Sequence, residues 1–173
     1  DGLLSCYRYQ GMMKQIIAKY KYKFVADLNK TIIELLISEI KSPLLFEQAW
    51  TLVPVPLHPH RLRWRGFNQA ELISQGLGAA WVWPVTPHLL NRTRPTSSQM
   101  TLSGAARKNN LKHAFAVTSG STIPPSVLLV DDVATSCSTL RECAAVLKKA
   151  GVNRVWGLTL AQAVPGFHPY KNY

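Results

Sequence analysis

The sequence predicts an α/β fold, a parallel sheet flanked by helices, and three observations lead there. Val127, Leu128, Leu129 and Val130 form an aliphatic run closed by Asp131 and Asp132, the pattern of a strand buried on both faces. Leu140, Cys143, Ala144, Val146, Leu147 and Ala150 then recur at helical spacing, with Gly151 just past the end, where a helix usually stops on glycine. Residues 155–160 (VWGLTL) supply a second buried strand. Strand, helix and strand of this length imply a right-handed parallel crossover.

Earlier in the chain, residues 6–9 read either as a short strand or as an extended lead-in. Residues 11–19 carry Met12, Met13, Ile16 and Ile17 at the spacing of an amphipathic helix. This helix runs into Lys19, Tyr20, Lys21, Tyr22 and Lys23. Cations for phosphates with rings for stacking would suit a nucleic-acid surface; lysines favouring the helix C-terminus as a solvated end read equally well. A longer helix is expected over 25–40, with Pro43 marking its exit.

Residues 51–56 (TLVPVP) read as a strand whose two prolines make the chain leave the sheet at 54–57. Arg61, Arg63 and Arg65 alternate along the next stretch, and in an extended loop they would share one face. Trp64, between two of them, has two open roles: stacking on a base, or burial beneath the loop. Asn68 is placed to cap a helix reaching about Ala80, and residues 85–90 (VTPHLL) form a further extended stretch.

A chain of 173 residues with 47% hydrophobic content fits one domain, 1–173, with a helical N-terminal part (1–45) and an α/β core (46–173). No uninterrupted apolar run is long enough for a membrane span. Cys6, Cys137 and Cys143 form no C-x-x-C pair; they cannot build a four-ligand zinc site, and they fit a reducing, cytoplasmic compartment. The formal net charge is +11, and between Ala49 and Val130 the acid is Glu71 alone. Such a surplus favours a polyanionic partner: nucleic acid, a multiply phosphorylated ligand, or both.

The chemistry is expected after the aliphatic run. Thr135, Ser136, Ser138 and Thr139 form a hydroxyl loop leading into a helix start, and helix-start N–H groups beside hydroxyls cradle a phosphate. Asp131 and Asp132 stand where they could accept hydrogen bonds from sugar hydroxyls or help hold a hydrated Mg²⁺. Together these features describe a phosphorylated sugar. The plainer alternative is that the acids end a strand and Ser138 caps a helix. The sequence contains neither a P-loop nor a G-x-G-x-x-G.

This order resembles the phosphoribosyl-pyrophosphate (PRPP) signature of type I phosphoribosyltransferases. The match is at Asp131, Asp132, Thr135 and Thr139, with Ser136 a mild change and Cys137 standing where that signature has glycine. The resemblance implies catalytic acids at Asp131 and Asp132, which would act with Mg²⁺ through water. It further implies a PRPP-phosphate loop of Thr135, Ser136, Cys137, Ser138 and Thr139. Residues 53–56, Arg61 and 65–71 (RGFNQAE) are similar to the signature of the ComF family, competence-associated proteins with a phosphoribosyltransferase domain. Arg92 or Arg94, Thr96, Gln99, Leu102, Arg107, Asn110, Ala114 and Phe115 extend the likeness.

That kinship implies a type I phosphoribosyltransferase-like sheet with a reduced hood and a pyrophosphate loop at Pro56, Leu57 and His58. A flexible catalytic loop would include Arg92, Arg94, Thr96, Gln99 and Arg107. It implies a cytoplasmic role in natural transformation and DNA uptake, with competence-machinery proteins as partners. Single-stranded DNA would contact Lys19, Lys21, Lys23, Arg61, Arg63, Trp64 and Arg65. The alternatives are an active phosphoribosyltransferase in nucleotide salvage and a non-catalytic PRPP or nucleotide sensor. ComF proteins usually carry an N-terminal four-cysteine zinc module, which this sequence lacks; no zinc is expected here, and the chain is expected to be a shortened form of a longer protein.

Overall fold

The computed structural model describes residues 2–22, 26–41, 43–93 and 114–163. Four parallel strands form the main sheet in the order β1 (Leu3–Arg8), β6 (Arg154–Gln162), β5 (Ser126–Ala134), β2 (Thr51–Pro54). All four therefore end on the same edge. Residues 6–9 thus belong largely to a strand, and the N-terminal stretch contributes an edge strand as well as helices. Val85 adds one parallel bridge to Leu52 on the outer side of β2. Pro54 is tolerated because β2 lies near the edge of the sheet.

Alternation along the strands decides which helix covers which face. Leu128 and Val130 of β5, Leu52 of β2 and Leu158 and Leu160 of β6 join Ile17, Tyr20, Ile32, Leu36, Ile73 and Leu77. Those residues come from α1 (Gly11–Tyr22), α2 (Ala26–Glu39) and α5 (Gln69–Trp81). Val127, Leu129, Val53 and Val155 face the other way, onto Leu140, Cys143 and Leu147 of α6 (Ser138–Lys149). Each fully buried Leu or Ile contributes roughly 1.5–3 kcal/mol, so the two layers clamp the sheet between them. Helix α5 packs tightly on α2: a Cβ on Gly76 would lie 2.0 Å from Ile33 Cδ1.

Several expectations are corrected. Helix α1 exposes Met12 and buries Ile17 and Tyr20, because its inward face takes Met13, Ile16, Ile17 and Tyr20 and leaves Met12 in solvent. The longer helix ends at Glu39, ahead of Pro43 as expected, and Pro43 in addition opens a short helix, α3 (Pro43–Phe46); proline suits a first helical turn. The stretch 85–90 is a single bridge at Val85 followed by a turn before β3 (Leu90–Arg92). β3 pairs antiparallel with β4 (Phe115–Val117) as a separate ribbon. No described helix is long and apolar enough to cross a membrane.

The arginine-rich stretch is helix α4 (Pro59–Arg65), not an extended loop. His58 caps it through Nδ1, which accepts from the His60 N–H at 3.2 Å, and Pro59 occupies the first turn. Gly66, at φ 84°, closes it in the left-handed conformation that glycine adopts without penalty. In a helix the alternate residues no longer share a face: Arg61 and Arg65 lie together, and Arg63 turns away.

Candidate functional site

The site is built where the parallel strands end. β5 runs through both acids to Ala134, so Asp131 and Asp132 lie inside the strand rather than beyond it. Asp132 is buried, and its Oδ2 receives the Lys21 ammonium at 3.0 Å. Asp131 Oδ1 accepts the Asp132 N–H at 2.8 Å. Asp131 keeps part of its surface at the cleft, yet burial, followed by the Asp132 charge, raises its pKa to about 8.

Lys21 comes from the last turn of α1, whose position is set by Tyr20. The Tyr20 ring is fully buried, lies 6.3 Å from the Phe67 ring, and its hydroxyl donates to Asn29 Oδ1 at 2.5 Å. Burial, then the nearby Asp132 charge, pushes its phenol well above the usual value. Tyr20 is therefore not a ring for stacking on bases, and Lys21 points to the acid pair. Lys19 is exposed, and Lys23 lies outside the described residues. The signal for Tyr20 was present in its spacing, three residues after Ile17.

Beyond Ala134 the hydroxyl loop opens. Thr135 and Ser136 are exposed, and the Ser136 and Ser138 hydroxyls lie 2.9 Å apart. Cys137 precedes α6 at φ 56°, ψ 6°, with no side-chain cap bond to the helix. Ser138 is the first helical residue, so the capping role considered for it is not the one it has. The Cys137 thiol turns toward β6, where Gln162 Nε2 donates to Sγ at 3.9 Å. Gln162 escaped the sequence reading because its place beside the loop depends on the β5–β6 register, Ala134 opposite Gln162.

The RGFNQAE stretch makes the corner between α4 and α5. Arg65 Nη1 donates to Gln69 Oε1 at 2.6 Å, Gly66 turns the chain and Phe67 meets Tyr20. Asn68 caps α5 through Ala70 N–H at 3.2 Å and donates from Nδ2 to the Val55 carbonyl at 3.1 Å. The corner thereby ties itself to the chain leaving β2, just before Pro56, Leu57 and His58.

Positive charge gathers over that loop. Desolvation, then the charges of Arg92, His60, Arg63 and Arg61, hold the His58 imidazole below its ordinary pKa. Burial and then Arg61 lower Arg92, which Asp131 partly offsets. Arg92, in β3, stacks its guanidinium 5.3 Å from the Phe115 ring centre, so it belongs to the ribbon. Arg94, Thr96, Gln99, Leu102, Arg107 and Asn110 lie outside the described residues. Trp64 is 68% exposed, which excludes its burial beneath a loop.

No protein-family model matches the chain. Competence protein F of Haemophilus influenzae is 35% identical over 168 residues, which cover 93% of this chain and 73% of that protein. DNA utilization protein YhgH of Salmonella typhimurium is 30% identical over 168 residues, 90% of this chain and 70% of the relative. Competence protein ComFC of Streptococcus pneumoniae is 27% identical over 158 residues, 91% and 67% respectively.

Among solved structures, the B. subtilis glutamine PRPP amidotransferase complexed with ADP and GMP is similar at a TM-score of 0.49 and 19% identity, over 76% of this chain. This chain spans 25% of that larger one. A Staphylococcus aureus hypoxanthine phosphoribosyltransferase is similar at 0.48 and 14%, over 89% of this chain and 77% of its own. The curated relatives, matched along most of both chains, decide the kinship: the chain belongs to the competence protein F (ComF) family.

Proposed function

We propose that this protein binds a phosphorylated ribose, PRPP, at the carboxyl edge of its sheet and serves DNA uptake with a contact to single-stranded DNA. The observation that carries the reading is the start of α6. Its first turn has no side-chain cap and is flanked by the exposed hydroxyls of Thr135 and Ser136. Uncapped amides at a helix N-terminus attract phosphate. The acid pair near the end of β5 suits ribose hydroxyls, and the His58, Arg61 and Arg92 cluster suits a pyrophosphate. The names of the relatives, competence and DNA utilization proteins, support the uptake role.

Magnesium fits this site only in part. One oxygen of Asp131 is taken by a backbone amide and one of Asp132 by Lys21, so direct ligation by the pair is hindered. A hydrated Mg²⁺ would be held by Asp131 and Asp132 through water and would supply charge neutralisation to a pyrophosphate, while the acids accept from the ribose hydroxyls. Arg61 and Arg92, beside the His58 loop, hold the far phosphates, and the uncapped amides of α6 orient the near one.

Calorimetry with PRPP and Mg²⁺ tests the reading. Saturable binding, weakened when Thr139 or Asp131 is replaced, is expected; the absence of saturable heat at millimolar PRPP overturns it. Pyrophosphate release over a panel of bases then separates a transferase from a binding protein. For DNA, reversing Arg61 and Arg63 to Glu should flatten the log–log salt slope by roughly 0.7 for each phosphate that is no longer neutralised. Arg65 is left intact because it holds Gln69. Trp64→Ala should weaken binding by about 1–3 kcal/mol. An unchanged slope removes α4 from the DNA interface.

A further inference from the structure

We infer that Lys21 is the built-in cation of the acid pair: it holds the place of a divalent ion beside Asp131 and Asp132, so the protein alone takes up Mg²⁺ or Mn²⁺ poorly. The inference deepens the proposed reading of the site and rests on it for the identity of the ligand. The ammonium lies 3.0 Å from Asp132 Oδ2, with the Lys21 and Asp132 side chains only 26% and 10% exposed. Mg²⁺ bonds carboxylate oxygens at about 2.0–2.1 Å. An ion ligated by that same oxygen would therefore stand beside a full positive charge, sheltered from the solvent that weakens such repulsion at a surface.

The position of Lys21 is fixed rather than incidental. Its neighbour Tyr20 is buried, bonded to Asn29 and packed against Phe67, which pins the last turn of α1. From that anchor the four-carbon stem reaches the acid pair, while Lys19, exposed on the same helix, does not share the contact. One oxygen of each acid is already engaged, Asp131 Oδ1 by an N–H and Asp132 Oδ2 by Lys21. An ammonium with rotatable donors can donate to a ligand oxygen while staying in place or shift toward an arriving phosphate. A bound divalent ion would have to be released or bridged. Lys21 is thus a positioning residue that keeps the acid pair aligned for ribose hydroxyls.

The test is Mn²⁺ binding to the full chain without any nucleotide or sugar, read by the electron paramagnetic resonance of free Mn²⁺. Lys21→Met removes the charge and keeps the length; Lys21→Gln is a second neutral variant should the first fail to fold; Lys21→Arg keeps the charge. The neutral variants should bind Mn²⁺ at least tenfold tighter than wild type, and Lys21→Arg should stay near wild type. Equal Mn²⁺ affinity in wild type and both neutral variants overturns the inference, as does an arginine variant that binds like the neutral ones. A parallel titration of ribose 5-phosphate in metal-free buffer keeps the two readings apart. Absence of sugar phosphate binding there counts against the proposed ligand, while the Mn²⁺ comparison, made without it, still decides the role of Lys21.

Discussion

Two helices of this protein begin near the carboxyl edge of the same sheet, and they begin in opposite ways. α5 is closed: Asn68 sits in an extended conformation at φ −106°, ψ 115°, caps Ala70 and anchors Val55. α6 is open: Cys137 takes the left-handed conformation and leaves the first turn without a side-chain cap. A side chain can reach its own helix amides from extended backbone and not from this one. The first helix start is built for stability, and the second forgoes part of it at the place where a phosphate would complete the turn.

Four perturbations distinguish the two helix starts. Asp131, in the strand that leads to the open helix, has its pKa raised to about 8 in the folded chain by burial and then the Asp132 charge, against about 4 in the unfolded chain. Between these values the native state holds more protons, so stability must fall as pH rises; it is full below about pH 4 and lost through pH 8. The full shift corresponds to about 5 kcal/mol; because Asp131 keeps part of its surface, solvent screening reduces this, and a decline on the order of 3 kcal/mol is expected in urea melts of the ligand-free protein. Asp131→Asn should flatten it, and a profile unchanged by that substitution would remove Asp131 as the cause.

Asn68→Ala comes next. It removes the α5 cap and orphans the buried Val55 carbonyl, for a loss of about 2–3 kcal/mol in chemical denaturation. A loss below about 0.5 kcal/mol would show that α5 does not depend on its cap, and the contrast with α6 would fail.

Cys137→Gly tests the other side. A non-glycine residue in the left-handed region costs roughly 1–2 kcal/mol, against about 0.5–1 kcal/mol of backbone entropy for glycine. A net gain of about 0.5–1 kcal/mol in thermal or urea unfolding is expected, together with tighter PRPP binding as the Cβ is removed. Destabilisation would mean that the thiol contact with Gln162 outweighs the strain. The smallest effect is Cys137→Ser: although serine is a favoured cap, the left-handed backbone denies it the geometry, so stability should stay within about 0.5 kcal/mol. A clear gain would show that the loop relaxes to an extended cap.

Much of the scaffold was legible because it rests on local rules. The α6 stripe through Leu140, Cys143 and Leu147, the Gly151 stop at φ 103° and the Asn68 cap all follow from spacing and residue chemistry within one element. The arginine stretch was misread because alternation is the signature of extended chain only where nothing nucleates a helix. His58, Pro59 and Gly66 together supply a start and a stop for a helix of two turns. The acid pair was recognised, but its place inside β5 was not, since polar residues in a strand look like its end until the register with β6 is known.

The order strand, acids, hydroxyl loop, helix was legible in the residues alone, because those preferences act between residues close along the chain. Tertiary structure alone decided that β1 would close the far side of β6, that Gln162 would meet Cys137, and that Lys21 would neutralise Asp132. Those pairings join residues far apart in sequence, and they are selected by burial of Tyr20, Ile17 and their neighbours on one face of the sheet. Hydrophobic burial carries no label for which charge it will bring beside which, so the electrostatics of the site had to wait for the packing.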